Sequence, residues 1–280
     1  MNYRHAFHAG NFADVHKHAV LAHILVHLRR KPAAFRVIDT HAGAGRYDLS
    51  ALEPSRSGEW HDGIERVWPA RPGIADDVLA PYREAVGALN ADGKLRLYPG
   101  SPLIAAHLLR RQDRLIACEL EPRAAAALAA ALRGFGGAKA LHIDGWTALG
   151  AYVPPRERRG LVLIDPPFEE AADFVRLPAA LGAAHRKWPT GIYLLWYPIK
   201  DRMAPDQLAR RLQKLALPKV LRCELILGRP RADAGLLGSG LIVVNPPFTL
   251  EPDLRRLVPA VAGLLSPGAT WRLDWLTPDR

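Results

Sequence analysis

Predicted β-strands alternate with predicted helices over most of this chain, and that alternation limits the fold more than any other feature. Short apolar runs that end at a Pro, Gly or acidic residue are typical of buried strands, and the Ala- and Leu-rich runs between them are typical of helices. Such an order implies a parallel sheet covered on both faces. The predicted strands are FRVID (35–39), DRLIACEL (113–120), KALHID (139–144), GLVLID (160–165) and TGIYLLWYP (190–198).

Two further segments complete the predicted sheet and its cover. Residues 11–30 carry apolar side chains at helical spacing and predict a helix capped by Asn11 or Asp14. Residues 219–227 and 239–245 predict an antiparallel hairpin at the end of the sheet. A terminal hairpin on a mostly parallel sheet is a variant of the doubly wound α/β plan.

One block interrupts this pattern. Residues 48–99 are rich in Pro, Gly and Trp, contain short helical stretches and show no convincing core strand. We therefore predict an α/β domain built from residues 1–47 and 100–280, with 48–99 inserted as a small helical subdomain after the first strand and its turn.

Acidic residues end four of the predicted strands. They are Asp39, Glu119, Asp144 and Asp165. Ligands of open α/β sheets bind outside the carboxyl ends of the strands, so the four acids predict a ligand site at that edge. Glu119 is suited to accept both hydroxyls of a ribose, and Asp144 to accept the amino group of a cofactor's adenine. Taken singly, each acid also fits a capping role, such as Asp144 at the start of a helix.

A glycine-rich turn follows the first predicted strand. Gly43 and Gly45 in DTHAGAG (39–45) let the chain bend sharply and let a ligand approach the backbone closely, so we predict that Gly43 binds a cofactor. Asp48 stands where a dinucleotide fingerprint would have its third glycine, which argues against a dinucleotide.

The motif DPPF, which begins at Asp165, predicts a site for a planar amino group. Prolines remove N–H donors but leave carbonyl acceptors, so an amino group can donate to Asp165 and to the Pro166 carbonyl while Phe168 stacks on its ring. The segment LIVVNPPF (241–248) has the same form. Strand order favours Asp165, because Asn245 ends a hairpin strand that is remote from the glycine turn.

Composition indicates which kind of partner the chain binds and in which cellular compartment it acts. Lys and Arg number 38 against 28 Asp and Glu, a formal net charge of +10, which favours nucleic acid as the partner. The two cysteines, Cys118 and Cys223, suit a reducing compartment and make neither a zinc site nor a disulfide framework. His23 and His27 have metal-ligand spacing, but no third ligand is evident. The N-terminus is polar and no apolar run approaches the ~20 residues that span a bilayer, so we expect a cytoplasmic protein that does not bind the membrane. The sequence does not fix the oligomeric state, and a monomer is our expectation.

The N-terminal segment interleaves aromatic and cationic side chains. Tyr3, Arg4 and His5 suit stacking on bases and pairing with phosphate, and we predict that they contact RNA; the alternative is a mobile N-terminus. Lys17 and His18 reach the site if their helix packs over the glycine turn. We include Lys17 among the candidate catalytic residues with Asp165, Pro166 and Phe168.

Five motifs together resemble one family of methyltransferases. They are YRHAFHAGNFADVHKH (3–18), DTHAGAGRY (39–47), YPGSPLIA (98–105), LIDPPF (163–168) and WYP (196–198). They are similar to motifs of the bacterial 23S ribosomal RNA adenine-N6 methyltransferases that act on adenine 2030, and the resemblance covers essentially the whole chain. The N-terminal motif is specific to that family, whereas the glycine turn and DPPF occur in many methyltransferases.

The resemblance implies a Rossmann-like class I methyltransferase sheet, S-adenosylmethionine as methyl donor and 23S ribosomal RNA as partner. It also implies that Asp165 holds the target amine and that Tyr3 contacts the RNA. Phe168 departs from the family, in which tyrosine is common at this position; stacking survives that change but a hydroxyl contact does not. The residues implied to line the cofactor site are His18, His41, Ser101, Glu119, Asp144, Gly145 and Asp165.

The implied reaction fits these residues. The adenine amino nitrogen is a weak nucleophile because its lone pair is delocalised, and hydrogen bonds to Asp165 and Pro166 favour a more nucleophilic nitrogen aligned with the methyl group. The sulfonium already activates that methyl group, so no metal is needed. The target base must be flipped or unpaired to be reached. The alternatives are a DNA adenine methyltransferase, a protein glutamine methyltransferase, or a non-catalytic RNA-binding ribosome assembly factor.

Overall fold

A computed structural model describes residues 5–68, 70, 76–168, 172–228 and 235–278. The helices of the described residues are α1 (Phe12–Arg29), α2 (Leu52–Ser57), α3 (Ile64–Val67), α4 (Asp76–Gly87), α5 (Ser101–Leu108), α6 (Pro122–Ala131), α7 (Gly145–Tyr152), α8 (Asp173–Lys187), α9 (Met203–Lys214) and α10 (Leu250–Leu265). The strands are β1 (Arg36–Asp39), β2 (Arg46–Asp48), β3 (Leu97–Pro99), β4 (Arg114–Glu119), β5 (Ala138–His142), β6 (Gly160–Ile164), β7 (Ile192–Ile199), β8 (Val220–Ile226), β9 (Gly238–Val244) and β10 (Thr270–Thr277).

Eight of these strands form one sheet in the order β10-β8-β9-β7-β6-β1-β4-β5. Strands β5, β4, β1, β6 and β7 are parallel, whereas β9 runs antiparallel to both β7 and β8. The predicted α/β fold, with a mostly parallel sheet and a terminal antiparallel hairpin, is confirmed. Strand β10, which pairs antiparallel with β8, extends the sheet beyond the predicted hairpin.

Strand direction separates the two proline motifs. Asp165 follows β6 and therefore lies at the carboxyl edge of the parallel strands. Val244, the last residue of antiparallel β9, pairs with Tyr193 near the start of β7. Asn245 therefore lies at the opposite edge of the sheet, where its side-chain amide donates to the carbonyls of Pro189 (2.6 Å) and Gly191 (2.9 Å). The prediction from strand order agrees with this geometry.

Helix α1 covers one face of the sheet and is buried along most of its length. It begins at Asn11, whose side-chain oxygen accepts from the backbone N–H groups of Ala13 and Asp14 (3.0 Å each). Its apolar residues, such as Leu21 and Ile24, are fully buried against α4, α5 and α10. No helix among the described residues is both long and apolar enough to cross a membrane.

The segment between β1 and α5 packs closely against the rest of the chain. Strands β2 and β3 pair as a short antiparallel ribbon at its base, which the sequence did not predict. Ile64, Val78 and Tyr82 are buried in the same hydrophobic core as α1. At Gly63 a Cβ atom would lie 2.1 Å from the Gly10 carbonyl, so only glycine allows this approach. We propose that residues 48–99 form an inserted subdomain.

Candidate active site

A buried charged cluster joins α1 to the end of β6. The Lys17 ammonium donates to Asp165 Oδ2 and lies 3.0 Å from Asp14 Oδ1, and the side chains of Lys17, Asp14 and Asp165 are 5%, 2% and 13% exposed. Asp14 Oδ2 also accepts from the backbone N–H of Gly10 (3.0 Å) and contacts His5 Nε2 (3.1 Å). Helix α1 therefore brings a cation to the DPPF motif and holds it between two carboxylates.

Opposite charges offset the burial of Lys17 and Asp14. Burial disfavours the ammonium of Lys17, but the charges of Asp165 and Asp14 outweigh it and raise the pKa of that group. Burial likewise disfavours the Asp14 carboxylate, yet the positive charges of His5 and Lys17 hold its pKa well below the usual range. Lys17 is therefore a hydrogen-bond donor and not a base at neutral pH.

Phe168 is fixed in an unusual conformation beside this cluster. Its φ of +50° is a left-handed value that bulky residues adopt rarely, and such strain is concentrated at functional sites. The ring is 9% exposed and packs against Phe174 (4.6 Å between centroids) and Trp196 (5.7 Å). The Lys17 ammonium lies 5.6 Å from the centroid of the same Trp196 ring. Trp196 thus contacts two candidate catalytic residues.

A chain of buried hydrogen bonds fixes Trp196. Its indole N–H donates to Ser239 Oγ (3.0 Å), which lies 3.0 Å from His16 Nδ1. Burial lowers the pKa of His16 to about 3, so the ring is neutral, and its Nε2 lies 3.3 Å from Cys223 Sγ. These contacts connect Cys223, buried on β8, to Trp196, which lies beside Lys17 and Phe168.

The glycine turn after β1 is coupled to the end of β4. The backbone N–H of Gly43 donates to Glu119 Oε2 (2.8 Å), and the N–H groups of Leu120 and Glu121 donate to Oε1 (2.8 Å each). Gly43 has a φ of +61°, and a Cβ there would lie 2.3 Å from the Tyr47 hydroxyl, so this turn requires glycine. The turn and the carboxylate therefore fix each other's position.

Asp39 lies beneath the turn and is fully buried. Ser101 Oγ donates to Asp39 Oδ2 (2.6 Å), whereas the buried Oδ1 has no hydrogen-bond partner among the described residues. Burial raises the pKa of this carboxyl to about 7, against the lowering effect of the Ser101 hydroxyl. Ser101 therefore supports the turn from below by its bond to Asp39.

His41 presents one defined tautomer. The Thr40 hydroxyl donates to the Leu163 carbonyl (2.9 Å), so it must accept from His41 Nδ1–H (2.8 Å). Burial lowers the pKa of His41 to about 4, which keeps the ring neutral. His41 Nε2 is therefore a hydrogen-bond acceptor. The ring also meets Trp146 edge-on (5.3 Å), and the Arg176 guanidinium lies 4.9 Å from the Trp146 centroid.

Asp144 and Gly145 begin α7 next to this turn. Asp144 Oδ2 accepts from the backbone N–H (2.9 Å) and the hydroxyl (2.8 Å) of Thr147, which is the capping role considered for this residue. A Cβ at Gly145 would lie 2.1 Å from the Thr40 carbonyl, so glycine is needed for α7 to approach the turn.

The remaining predicted residues have different surroundings. Tyr3 and Arg4 lie outside the described residues, whereas His5 contacts the charged cluster and the Tyr47 ring (5.2 Å). His18 is fully buried, with Nδ1 2.7 Å from the Tyr98 hydroxyl, and burial lowers its pKa to about 3. His18 is therefore a neutral buried ring held by Tyr98.

His23 and His27, the two histidines with metal-ligand spacing, contact other groups. His23 Nε2 lies 2.6 Å from the Val78 carbonyl, and His27 Nδ1 lies 3.0 Å from the Thr249 hydroxyl. No group of three His, Cys, Asp or Glu side chains suited to a metal ion occurs among the residues that the structure describes.

Two residues of the site were missed in the sequence. The sequence indicates Asp14 as a helix cap, yet it also lies three and four residues before Lys17 and His18, the spacing at which helical side chains meet. Trp196 stands out in the sequence only as part of the motif WYP (196–198). Its signal was weaker, since nothing local shows that a strand residue will meet a cation from α1.

The strand order β5-β4-β1-β6-β7-β9-β8, with carboxylates at the ends of β1 and β4 and after β5 and β6, defines a class I methyltransferase. A family model described as "Ribosomal RNA large subunit methyltransferase D, RlmJ" matches residues 32–277. This chain belongs to that family, and the resemblance drawn from the five motifs is confirmed.

Similar proteins support the same assignment. The chain is 40% identical over 286 residues to "Ribosomal RNA large subunit methyltransferase J" of Haemophilus influenzae and 39% identical over 281 residues to the protein of that name from Escherichia coli; both alignments cover 100% of each chain. The crystal structure of a Legionella pneumophila protein superposes with a TM-score of 0.89 at 33% identity, covering 96% of this chain and 98% of that one.

Replacing Asp39 by asparagine is expected to change how stability depends on pH. An acid whose pKa is raised on folding destabilises the folded state as pH rises through that pKa, here about 7. The free energy of unfolding of Asp39→Asn, relative to that of wild type, should therefore rise by on the order of 2 kcal/mol between pH 5 and pH 8. Urea titrations of both proteins at four pH values measure this. If the free energies of unfolding of the two proteins changed in parallel with pH, the raised pKa of Asp39 would be contradicted.

Proposed function

We propose that this chain transfers a methyl group from S-adenosylmethionine to the exocyclic N6 of an adenine in 23S ribosomal RNA. The observation that carries the proposal is the position of Asp165, which lies at the carboxyl end of β6, is followed by two prolines, and is held by a buried lysine. The relatives named above are large-subunit ribosomal RNA methyltransferases, which supports this substrate class.

The cofactor side of the site fits the proposed methyl donor. S-adenosylmethionine supplies a methyl group activated by a positive sulfur. Its ribose hydroxyls and adenine amino group are donors, and Glu119 and Asp144 offer carboxylate acceptors. Three backbone N–H groups hold the Glu119 carboxylate in place, which suits a fixed contact to the ribose. The residues proposed to line this side are Gly43, Gly145, His18, His41, Ser101, Glu119, Asp144 and Asp165.

Asp165 and Pro166 are proposed to hold the target amine. Lys17 donates to Asp165 Oδ2, so Oδ1 is the oxygen that faces the amine. The second acceptor is the Pro166 carbonyl. Two acceptors in fixed positions orient the N6 lone pair towards the methyl group, and the hydrogen bond from Lys17 fixes the orientation of the carboxylate. Lys17 therefore positions the acceptor and does not take the proton.

The base and the RNA strand are proposed to be held by aromatic and cationic groups. Phe168 offers a ring next to the amine site for stacking on a flipped adenine. Tyr3, Arg4 and His5 are proposed to contact the RNA at the same edge, and His5 is joined there to Asp14. The formal net charge of +10 favours association with the phosphate backbone. We further propose a monomer that acts in the cytoplasm, where the RNA is made.

Label transfer from radioactive S-adenosylmethionine tests the proposal. Unmodified 23S RNA, duplex DNA carrying adenines, and a glutamine-containing protein are offered separately, and the labelled nucleoside is identified after digestion. We expect label on N6-methyladenosine from the RNA alone. Label on DNA or protein would support one of the other methyltransferase classes. Binding of donor and RNA with no label on adenine would overturn the proposal and favour a non-catalytic assembly factor.

A further inference from the structure

The second proline motif presents an aromatic ring to solvent at the edge of the sheet opposite Asp165. Phe248 is 84% exposed, more than any other large hydrophobic side chain among the described residues. Its counterpart in the first motif, Phe168, is 9% exposed. The amine site uses no part of this motif, so the exposed ring needs a separate explanation.

The loop that carries Phe248 is held firmly. Asn245 has a φ of +51° and is fixed by its two bonds to the backbone before β7. Thr249, next to Phe248, bonds to His27 Nδ1, and the His27 ring meets the Phe248 ring edge-on at 5.4 Å. The exposed ring is therefore ordered before any partner binds, which lowers the entropy lost on stacking.

Exposed cations lie close to His27, the residue that contacts this ring. Arg29, Arg30 and Lys31 at the end of α1 are exposed, and none of them forms an ion pair with a carboxylate of the described residues. Burial, together with the charges of Arg30, Arg159 and Lys31, lowers the pKa of His27, against the raising effect of Asp253. His27 therefore joins the ring to a surface on which the cations outnumber the nearby carboxylate.

We propose that this surface, formed by Phe248, His27, Arg30 and Lys31 and here called the distal patch, is a second binding site for the RNA substrate. An exposed ring among unpaired cations has the chemistry that stacks on a base and contacts phosphates. The proposal deepens the proposed function and rests on it. A protein partner would need carboxylates facing both cations of the distal patch, whereas every nucleotide supplies a phosphate.

Helix α1 sets the distance between the distal patch and the amine site. Lys17 and Arg29 are twelve residues apart on this helix, which corresponds to about 18 Å. A trinucleotide with the target adenine in the middle extends one nucleotide to each side of the amine site and does not reach the distal patch. A longer RNA can reach both, so the distal patch should matter only for the longer substrate.

Steady-state kinetics with two RNAs test this. The RNAs are a long fragment of 23S RNA and a trinucleotide with the target adenine in the middle. For Phe248→Ala, and for Arg30→Gln with Lys31→Gln, we expect KM for the long RNA to rise about five- to tenfold with kcat unchanged. KM for the short RNA should not change. For the double charge variant, the slope of log affinity against log salt should fall by about 1.5.

Matched variants on the other face of the sheet serve as controls. Met203→Ala removes an exposed hydrophobic side chain (67% exposed), and Arg210→Gln with Lys214→Gln removes two exposed cations of α9. Equal KM values for distal-patch and control variants, or equal rises on both RNAs, would overturn the distal patch. If wild type transfers no methyl group to either RNA, the proposed function fails, and equilibrium binding of the long RNA by the same variants still decides the distal patch.

Discussion

Replacing Asp165 by asparagine is expected to lower the rate of methyl transfer by about 10²- to 10⁴-fold while the fold is retained. The two side chains have the same size, but asparagine has one oxygen. Lys17 donates to Asp165 Oδ2, so the amide oxygen turns towards the ammonium and the amide NH₂ faces the target amine. Two donors then face each other at the reacting nitrogen. Single-turnover label transfer at saturating RNA and donor measures the effect.

The second proline motif provides a matched control for this variant. Asn245→Ala removes the bonds to Pro189 and Gly191 at the opposite edge of the sheet and should cost about 1–2 kcal/mol of stability. The rate per folded molecule should stay within about twofold of wild type. A loss of similar size in Asn245→Ala, or a retained rate above about a tenth in Asp165→Asn, would contradict the role given to Asp165.

The parts of the fold that could be predicted share one physical origin. Buried parallel strands are apolar throughout and end sharply, so β4, β6 and β7 stand out in the sequence. Because strands of this kind place their carboxyl ends at one edge, the positions of Glu119 and Asp165 followed from strand order alone. The same reasoning separated Asp165 from Asn245, and the register of β9 on β7 agrees with it.

The charged cluster could not be predicted, because it depends on contacts between distant parts of the chain. A run such as ADVHKH indicates a polar face of a helix, yet Asp14, His16, Lys17 and His18 are all buried. Their partners, Asp165, Ser239 and Tyr98, lie more than eighty positions away in most cases and become neighbours only when α1 packs across the sheet. Local patterns carry no information on such pairing.

Strand β10 was missed for a different reason. It is an edge strand with exposed residues such as Trp271 (41% exposed), so it lacks the apolar run that marks the central strands. Its pairing with β8 is supported by Asp274, which accepts two hydrogen bonds from Arg222 (2.7 and 2.9 Å). Side-chain pairs across an edge are visible only once the register is known.

Replacing Lys17 by methionine is expected to lower the free energy of unfolding at pH 7.5 by about 3–5 kcal/mol, because it leaves a buried carboxylate without its cation. Asp14 is 2% exposed and remains fully enclosed, whereas Asp165 is 13% exposed and can be hydrated. In wild type the charges of His5 and Lys17 hold the pKa of Asp14 low. Without Lys17 that pKa rises, so the loss of stability should shrink as pH falls towards 4 and Asp14 takes up a proton.

Urea unfolding of Lys17→Met at pH 7.5 and pH 4.5 measures this, and a second variant separates charge from packing. Lys17→Met combined with Asp14→Asn removes the ammonium and the fully enclosed carboxylate, and it should be more stable than Lys17→Met alone at pH 7.5, because the Asp165 carboxylate that is left unpaired can be hydrated. Asparagine at position 14 still accepts from the Gly10 N–H. If the double variant were the less stable one, or if the loss were the same at both pH values, the Lys17 side chain would act by packing, and the carboxylates on either side of it would not depend on its charge.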